Sequence, residues 1–213
     1  MSNDISNEYK NIILPIVKED DLIPKPCKDE IEKYLENWDK NEKYILQENA
    51  LKKLFNNTYT KNTEIENVLI KVSSLNNLYS TNIFSPFIMA KHIVDSNIDQ
   101  RLEESDITLV NDIAKVKMDD GNVINFYSFT TKYCSHHKPN DYPIYDSYVD
   151  KILRYFRDKD SFHQFKTAEL KKYRVFKNIL INFRSFYGLE DYSLKDIDRY
   201  LWQLGKEKFP NKY

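Results

Sequence analysis

Glycine is the scarcest structural resource in this chain: three residues in 213. That excludes a fold built on glycine-rich phosphate loops or on many tight, left-handed turns. Cysteine is nearly as rare, with only Cys27 and Cys134. Two cysteines exclude a disulfide framework, a four-cysteine zinc site and a four-cysteine iron–sulfur cluster within one chain. They fit a reducing, cytoplasmic setting. No run of 18 apolar residues occurs, so the sequence predicts no membrane span. The first ten residues, MSNDISNEYK, lack the basic and apolar regions of a signal peptide.

Net charge is also lacking, at −1 overall, but its distribution is uneven. Residues 1–125 hold 15 basic and 22 acidic side chains, whereas 126–213 hold 17 and 11. The stretch 151–184 is the most polarised, with 10 basic and 3 acidic. A basic half that starts near residue 126 is a candidate phosphate-facing surface, or else a solvated set of helix faces.

What is abundant points to helices. Prolines 15, 24 and 26 make the first 27 residues irregular. Ile31, Tyr34, Leu35 and Trp38 then recur at helical spacing, and a second helix is expected over about 43–56. Thr63–Glu66 is a capping-box pattern ahead of Ile65, Val68, Leu69 and Val72, which aim a helix end at Ser73–Asn77. Further helices are expected near 84–95, with Pro86 in the first turn, and near 106–116. Asp119-Asp120-Gly121-Asn122 is a turn, and its flanks suit one small β-hairpin near 116–126. Helices over about 147–156, 166–187 and 193–204 follow, the last two closed by Gly188 and Gly205. The expected class is all-α.

Phe126–Ile152 carries the chemistry: FYSFTTKYCSHHKPNDYPIYDSYVDKI. Lys132 ends a polar-aromatic run, and Asp146 sits where an amphipathic helix should begin. A lysine amine can attack C1′ of a nucleoside, expel the base and form a Schiff base with the sugar. A carboxylate fixed at a helix N-cap can stabilise the charge that develops at C1′. The bland alternative is a surface lysine and an ordinary cap. Cys134, His136 and His137 do not make a metal site, because adjacent histidines do not readily share one tetrahedral ion. His136 lies one helical turn after Lys132 and is placed in a base pocket or in local packing.

Three segments, in order, resemble the helix-hairpin-helix DNA glycosylases, most of all the 8-oxoguanine branch. They are Val72-Ser73-Ser74-Leu75-Asn76-Asn77, Phe129-Thr130-Thr131-Lys132, and Lys138-Pro139-Asn140-Asp141-Tyr142-Pro143-Ile144-Tyr145-Asp146. With the closing segment 183–206 they cover about two-thirds of the chain, from residue 63 on. The resemblance implies an all-α, two-lobed helix-hairpin-helix glycosylase-like fold. One lobe would be 63–137, ending in the hairpin, and the other 1–62 with 138–213. It makes Lys132 the nucleophile and Asp146 its electrostatic partner. Asn76, with Asn77, would fill the gap left by a flipped base. Ser128 and Thr130 would meet phosphate in place of the family's hairpin glycines, which this chain lacks. Lys151, Arg154 and Arg157 are the expected phosphate contacts, and His136, Tyr145 and Trp202 the expected base pocket. The implied partner is double-stranded DNA with a damaged or modified base, bound by a monomer without metal, redox cofactor or iron–sulfur cluster. The alternative is a catalytically silent relative that binds nucleic acid or protein through the same cleft.

Overall fold

The computed structural model describes residues 23–210. The irregular start expected for 1–27 lies mostly outside the described residues. The rest is mostly helical: α1 (Lys28–Lys40), α2 (Glu42–Lys53), α3 (Ile65–Tyr79), α4 (Pro86–Asp95), α5 (Asp99–Glu103) and α6 (Leu109–Ile113) precede a hairpin of β1 (Lys115–Lys117) and β2 (Val123–Asn125). Then come α7 (Tyr127–His137), α8 (Ser147–Asp160), α9 (Tyr173–Phe186) and α10 (Leu194–Lys208). The two strands pair antiparallel, Val116 opposite Ile124, and Gly121 takes the left-handed turn position at φ +84°. The expected hairpin is therefore present. Among the described residues no helix is long and apolar enough to cross a membrane.

α7 is the centre of the molecule. Nine of its eleven residues are buried, Tyr127 and Phe129 through His136. Its sequence has weak helix propensity, and Phe126 at the N-cap offers no side-chain bond. Tertiary enclosure supplies the stability instead. The Thr130 and Thr131 hydroxyls fold back to donate to the carbonyls of Tyr127 (3.0 Å) and Ser128 (2.9 Å). The stretch Phe126–Thr130, expected to be a degenerate hairpin, is thus the entry and first turn of a buried helix. Burial all round leaves no polar face for a periodicity argument to find.

Three other boundaries move for physical reasons. α3 begins one residue later than a Thr63 cap implies, with Glu64 at the cap and no side-chain bond, and it runs on through Ser73–Asn77 to Tyr79. The expected 166–187 helix is split: a 3₁₀ turn over Thr167–Lys171 precedes α9. Gly205 lies inside α10 rather than ending it. There a Cβ would sit 2.6 Å from the Tyr148 carbonyl oxygen and 2.9 Å from its carbon. Glycine lets α10 close on the first turn of α8. Gly205→Ala should therefore cost about 1–3 kcal/mol through overpacking, despite alanine's better helix propensity. A lowered urea midpoint at unchanged m-value checks this.

A second buried cation ties α3 to the chain ahead of it. Lys71 is fully buried, and its ammonium donates to the carbonyls of Tyr59 and Lys61 (both 3.0 Å) and to Asn62 Oδ1 (2.5 Å). Burial pushes its pKa down to about 8.

Candidate active site

α7 and α8 deliver the two expected groups to one point. Lys132 is 2 % exposed. Its Nζ donates to Ser128 Oγ (2.7 Å), to the Tyr145 carbonyl (3.3 Å) and to Asp146 Oδ2 (3.2 Å). Asp146 is the N-cap of α8, with extended backbone, and its other oxygen accepts from the Tyr148 amide at 3.0 Å. One carboxylate oxygen thus caps a helix while the other faces the lysine. The cap fixes the side chain's rotamer, so the ion pair is held by the start of a helix rather than by a loop.

Lys132 and Asp146 open into a cleft of about 700 Å³, its mouth included. α1 and α2 contribute Trp38, Tyr44, Gln47, Glu48 and Leu51, α3 gives Leu78 and Tyr79, and α10 gives Lys195, Asp198, Arg199 and Trp202. The segments expected to form two lobes therefore both line it. Trp38, Tyr44 and Trp202 form an aromatic wall: ring centroids are 5.0 Å (Trp38–Tyr44), 5.4 Å (Tyr44–Trp202) and 6.0 Å (Trp38–Trp202) apart. The Tyr79 ring lies 5.5 Å from the Lys132 ammonium.

The polar wall is charged. Arg199 donates to both oxygens of Glu48 (2.8 and 2.7 Å), and Trp38 Nε1 adds a bond to Glu48 at 3.1 Å. Burial pushes the Glu48 carboxyl up, but Lys195 and Arg199 outweigh it and hold it below its ordinary value. Asp198 is different. It is 4 % exposed, and burial pushes it up to about 6 against the pull of Lys195 and Lys132.

The remaining expected site residues divide sharply. Trp202 lines the cleft. His136 and Tyr145 lie behind its wall. His136 Nε2 meets the Tyr79 hydroxyl at 3.0 Å, and burial lowers its pKa to about 3, so it is a neutral support for Tyr79. Tyr145 is buried and donates to Asp150 at 2.8 Å. Thr130 is fully buried with its hydroxyl on backbone carbonyls, which removes it from any phosphate-facing surface. Ser128 Oγ instead accepts a hydrogen bond from the Lys132 ammonium and donates to the Tyr145 carbonyl at 3.1 Å. Asn76 is committed to its own loop: Oδ1 accepts from Thr81 Oγ1 and the Ile83 amide (both 2.9 Å), and Nδ2 donates to the Ile83 carbonyl at 3.0 Å. Filling a helix gap would break all three bonds. Asn77 is exposed beside a shallow groove, and Phe84, at the end of the loop that Asn76 anchors, is 93 % exposed. Arg154 pairs with Asp150 and Arg157 with Asp158, each at 2.7 Å, while Lys151 reaches the Phe209 carbonyl at 3.4 Å.

Sequence reasoning missed Trp38, Tyr44, Glu48, Asp198 and Arg199. Asp198 and Trp202 are four apart on α10, a spacing that places two side chains on one helix face.

Residues 30–141 match the HI_0787 N-terminal domain family. A Haemophilus influenzae protein, described only as uncharacterized, is 50% identical over 149 residues, 70% of this chain and 71% of its own. The chain belongs to the HI_0787 family. No solved structure matches it significantly. The family match spans Lys132 and the α1–α2 wall of the cleft, and stops before Asp146 and α10.

Proposed function

We propose that this HI_0787-family protein is a DNA glycosylase of the helix-hairpin-helix type. It removes a damaged or modified base from DNA by lysine attack at C1′. The observation that carries this is the buried Lys132 ammonium, 3.2 Å from the Asp146 carboxylate, beneath an aromatic-walled cleft. Unlike Lys71, whose ammonium is spent on carbonyls and an amide, Lys132 faces a carboxylate at the wall of a cleft. The cleft's flat aromatic faces suit one extruded base. Lys132 attacks as the free amine, its proton lost to solvent, while Asp146 remains a carboxylate and stabilises the cationic sugar. After base release, ring opening gives a Schiff base, the entry to strand cleavage. Asn77, exposed near the end of α3, and Phe84, exposed just before α4, would support the vacated stack.

The test is reduction with borohydride in the presence of duplexes that carry an abasic site or 8-oxoguanine. A covalent protein–DNA adduct is expected. Asp146→Asn should leave α8 capped, because Asn caps about as well as Asp, yet slow base release by roughly 100-fold. Equal thermal midpoints with unequal single-turnover rates would establish that split.

The self-paired arginines of α8 favour a second reading, a binding module that keeps the cleft and lacks the reaction. DNA binding without any adduct on abasic duplex would select it.

A further inference from the structure

We propose that Asp198 is a second catalytic group of this cleft: it protonates the departing base, which makes the substrates bases that are uncharged in DNA. This rests on the glycosylase reading above.

Lys132 and Asp146 account for attack and for charge at the sugar, but neither serves the leaving group. Expelling a neutral base leaves it as an anion unless a proton arrives as the glycosidic bond breaks. Asp198 is the group in the cleft whose environment suits that task. It reaches the wall from α10, on the same face as Trp202, so a base lying against Trp202 meets it. Among the described residues, Lys195, Lys132 and Asp146 are the charged groups that act on it. Lys195, on its own helix, is 3.6 Å away, beyond normal hydrogen-bond length. Lys132 from α7 and Asp146 from the cap of α8 act on it through space, with opposite signs. Glu48 of α2 and Arg199 are occupied with each other. Asp198 is therefore enclosed and loosely partnered. Its two neighbouring carboxylates, Asp146 and Glu48, are each already engaged by a cation. Burial favours its protonated form near pH 6, whereas Glu48 is held ionised. Two carboxyls pushed apart in this way divide into an acid and an anion.

The neutral Lys132 amine forms the N–C1′ bond while the bond from C1′ to the base breaks. That bond's electron pair goes to the base, which takes the proton from Asp198. The secondary ammonium formed on Lys132 gives its extra proton to the Asp146 carboxylate. A base that is already cationic, such as N7-methylguanine, leaves as a neutral molecule and needs nothing from Asp198.

The experiment compares wild type and Asp198→Asn in single-turnover base release. The duplexes carry 8-oxoguanine, hypoxanthine or uracil on one side and N7-methylguanine on the other. Borohydride trapping at an abasic site runs in parallel, because that adduct needs no leaving base. The expected result is at least about a 100-fold loss on the uncharged bases. Abasic trapping stays within about twofold, and the decline of the wild-type rate above pH 6 disappears in the variant. Equal rates for the two proteins overturn the assignment, as does release of N7-methylguanine alone by wild type. Loss of trapping together with base release also overturns it, since Asp198 would then be holding the site rather than serving the leaving group. A wild-type protein that forms no abasic adduct overturns the lysine reading itself, and this inference with it.

Discussion

Lys132→Gln is expected to abolish the borohydride-stable adduct and to slow base release by at least about a thousandfold, because a nucleophile's removal is not compensated by its neighbours. Glutamine is chosen because it can still bond to Ser128 and the Tyr145 carbonyl, the two uncharged partners of the lysine. Asp146 keeps its bond to the Tyr148 amide, so α8 stays capped. The variant should therefore fold and bind DNA, and its circular dichroism should match wild type. Binding of abasic duplex within a few-fold of wild type, with no adduct, isolates the chemistry. Residual adduct in Lys132→Gln would move the nucleophile elsewhere, with Lys195 the next lysine on the cleft wall.

The second large effect is on stability in acid. His136 is buried on α7 and His137 half-buried, and both have pKa values near 3, lowered chiefly by desolvation. An unfolded histidine titrates near 6.5, so between about pH 6.5 and 3 the unfolded chain binds two protons that the folded chain refuses. Stability must fall as pH falls through that window. Asp198 works the other way: its folded pKa of about 6 exceeds its ordinary 3.8, so the folded state takes one proton first. For these three groups together the difference is about one proton between pH 6 and 4, or roughly 1.4 kcal/mol per pH unit. About 3 kcal/mol lost over two units is a large share of a domain's stability. Urea midpoints at pH 7, 5 and 4 measure it. His137→Phe should flatten the slope by up to one proton. It should cost little at pH 7, because His137 Nε2 is buried without a partner and packs against Phe55 and Tyr133.

The elements that announced themselves in the sequence were the amphipathic ones. α1, α8, α9 and α10 each show one apolar stripe, and the caps at Asp146 and Ser193 are where the pattern places them. The β-hairpin was legible from its Asp-Gly turn. α7 was not, because a helix enclosed on every side has no polar face and this one has poor propensity. The same enclosure hid the fate of Ser128 and Thr130, whose hydroxyls look available in sequence and are spent on backbone or on Lys132. Lys132 and Asp146 were legible as a pair only through their order and the cap. Trp38, Glu48 and Asp198 were not, since each lies on an amphipathic helix where a Trp reads as core and a carboxylate as surface. What brings them to one cleft is the way α1, α2 and α10 pack, a long-range property with no local signature.

The enclosure of α7 also sets how the site ages and fails. Amides deep in such a helix exchange with solvent only when the whole domain opens, not by fraying of one end. The lysine is therefore mounted on the segment whose opening free energy equals that of the molecule. In hydrogen-exchange measurements α7 should be the last helix to label. Heat inactivation and global unfolding should then follow a single curve, with no range of temperature in which the protein is folded and the lysine is out of place.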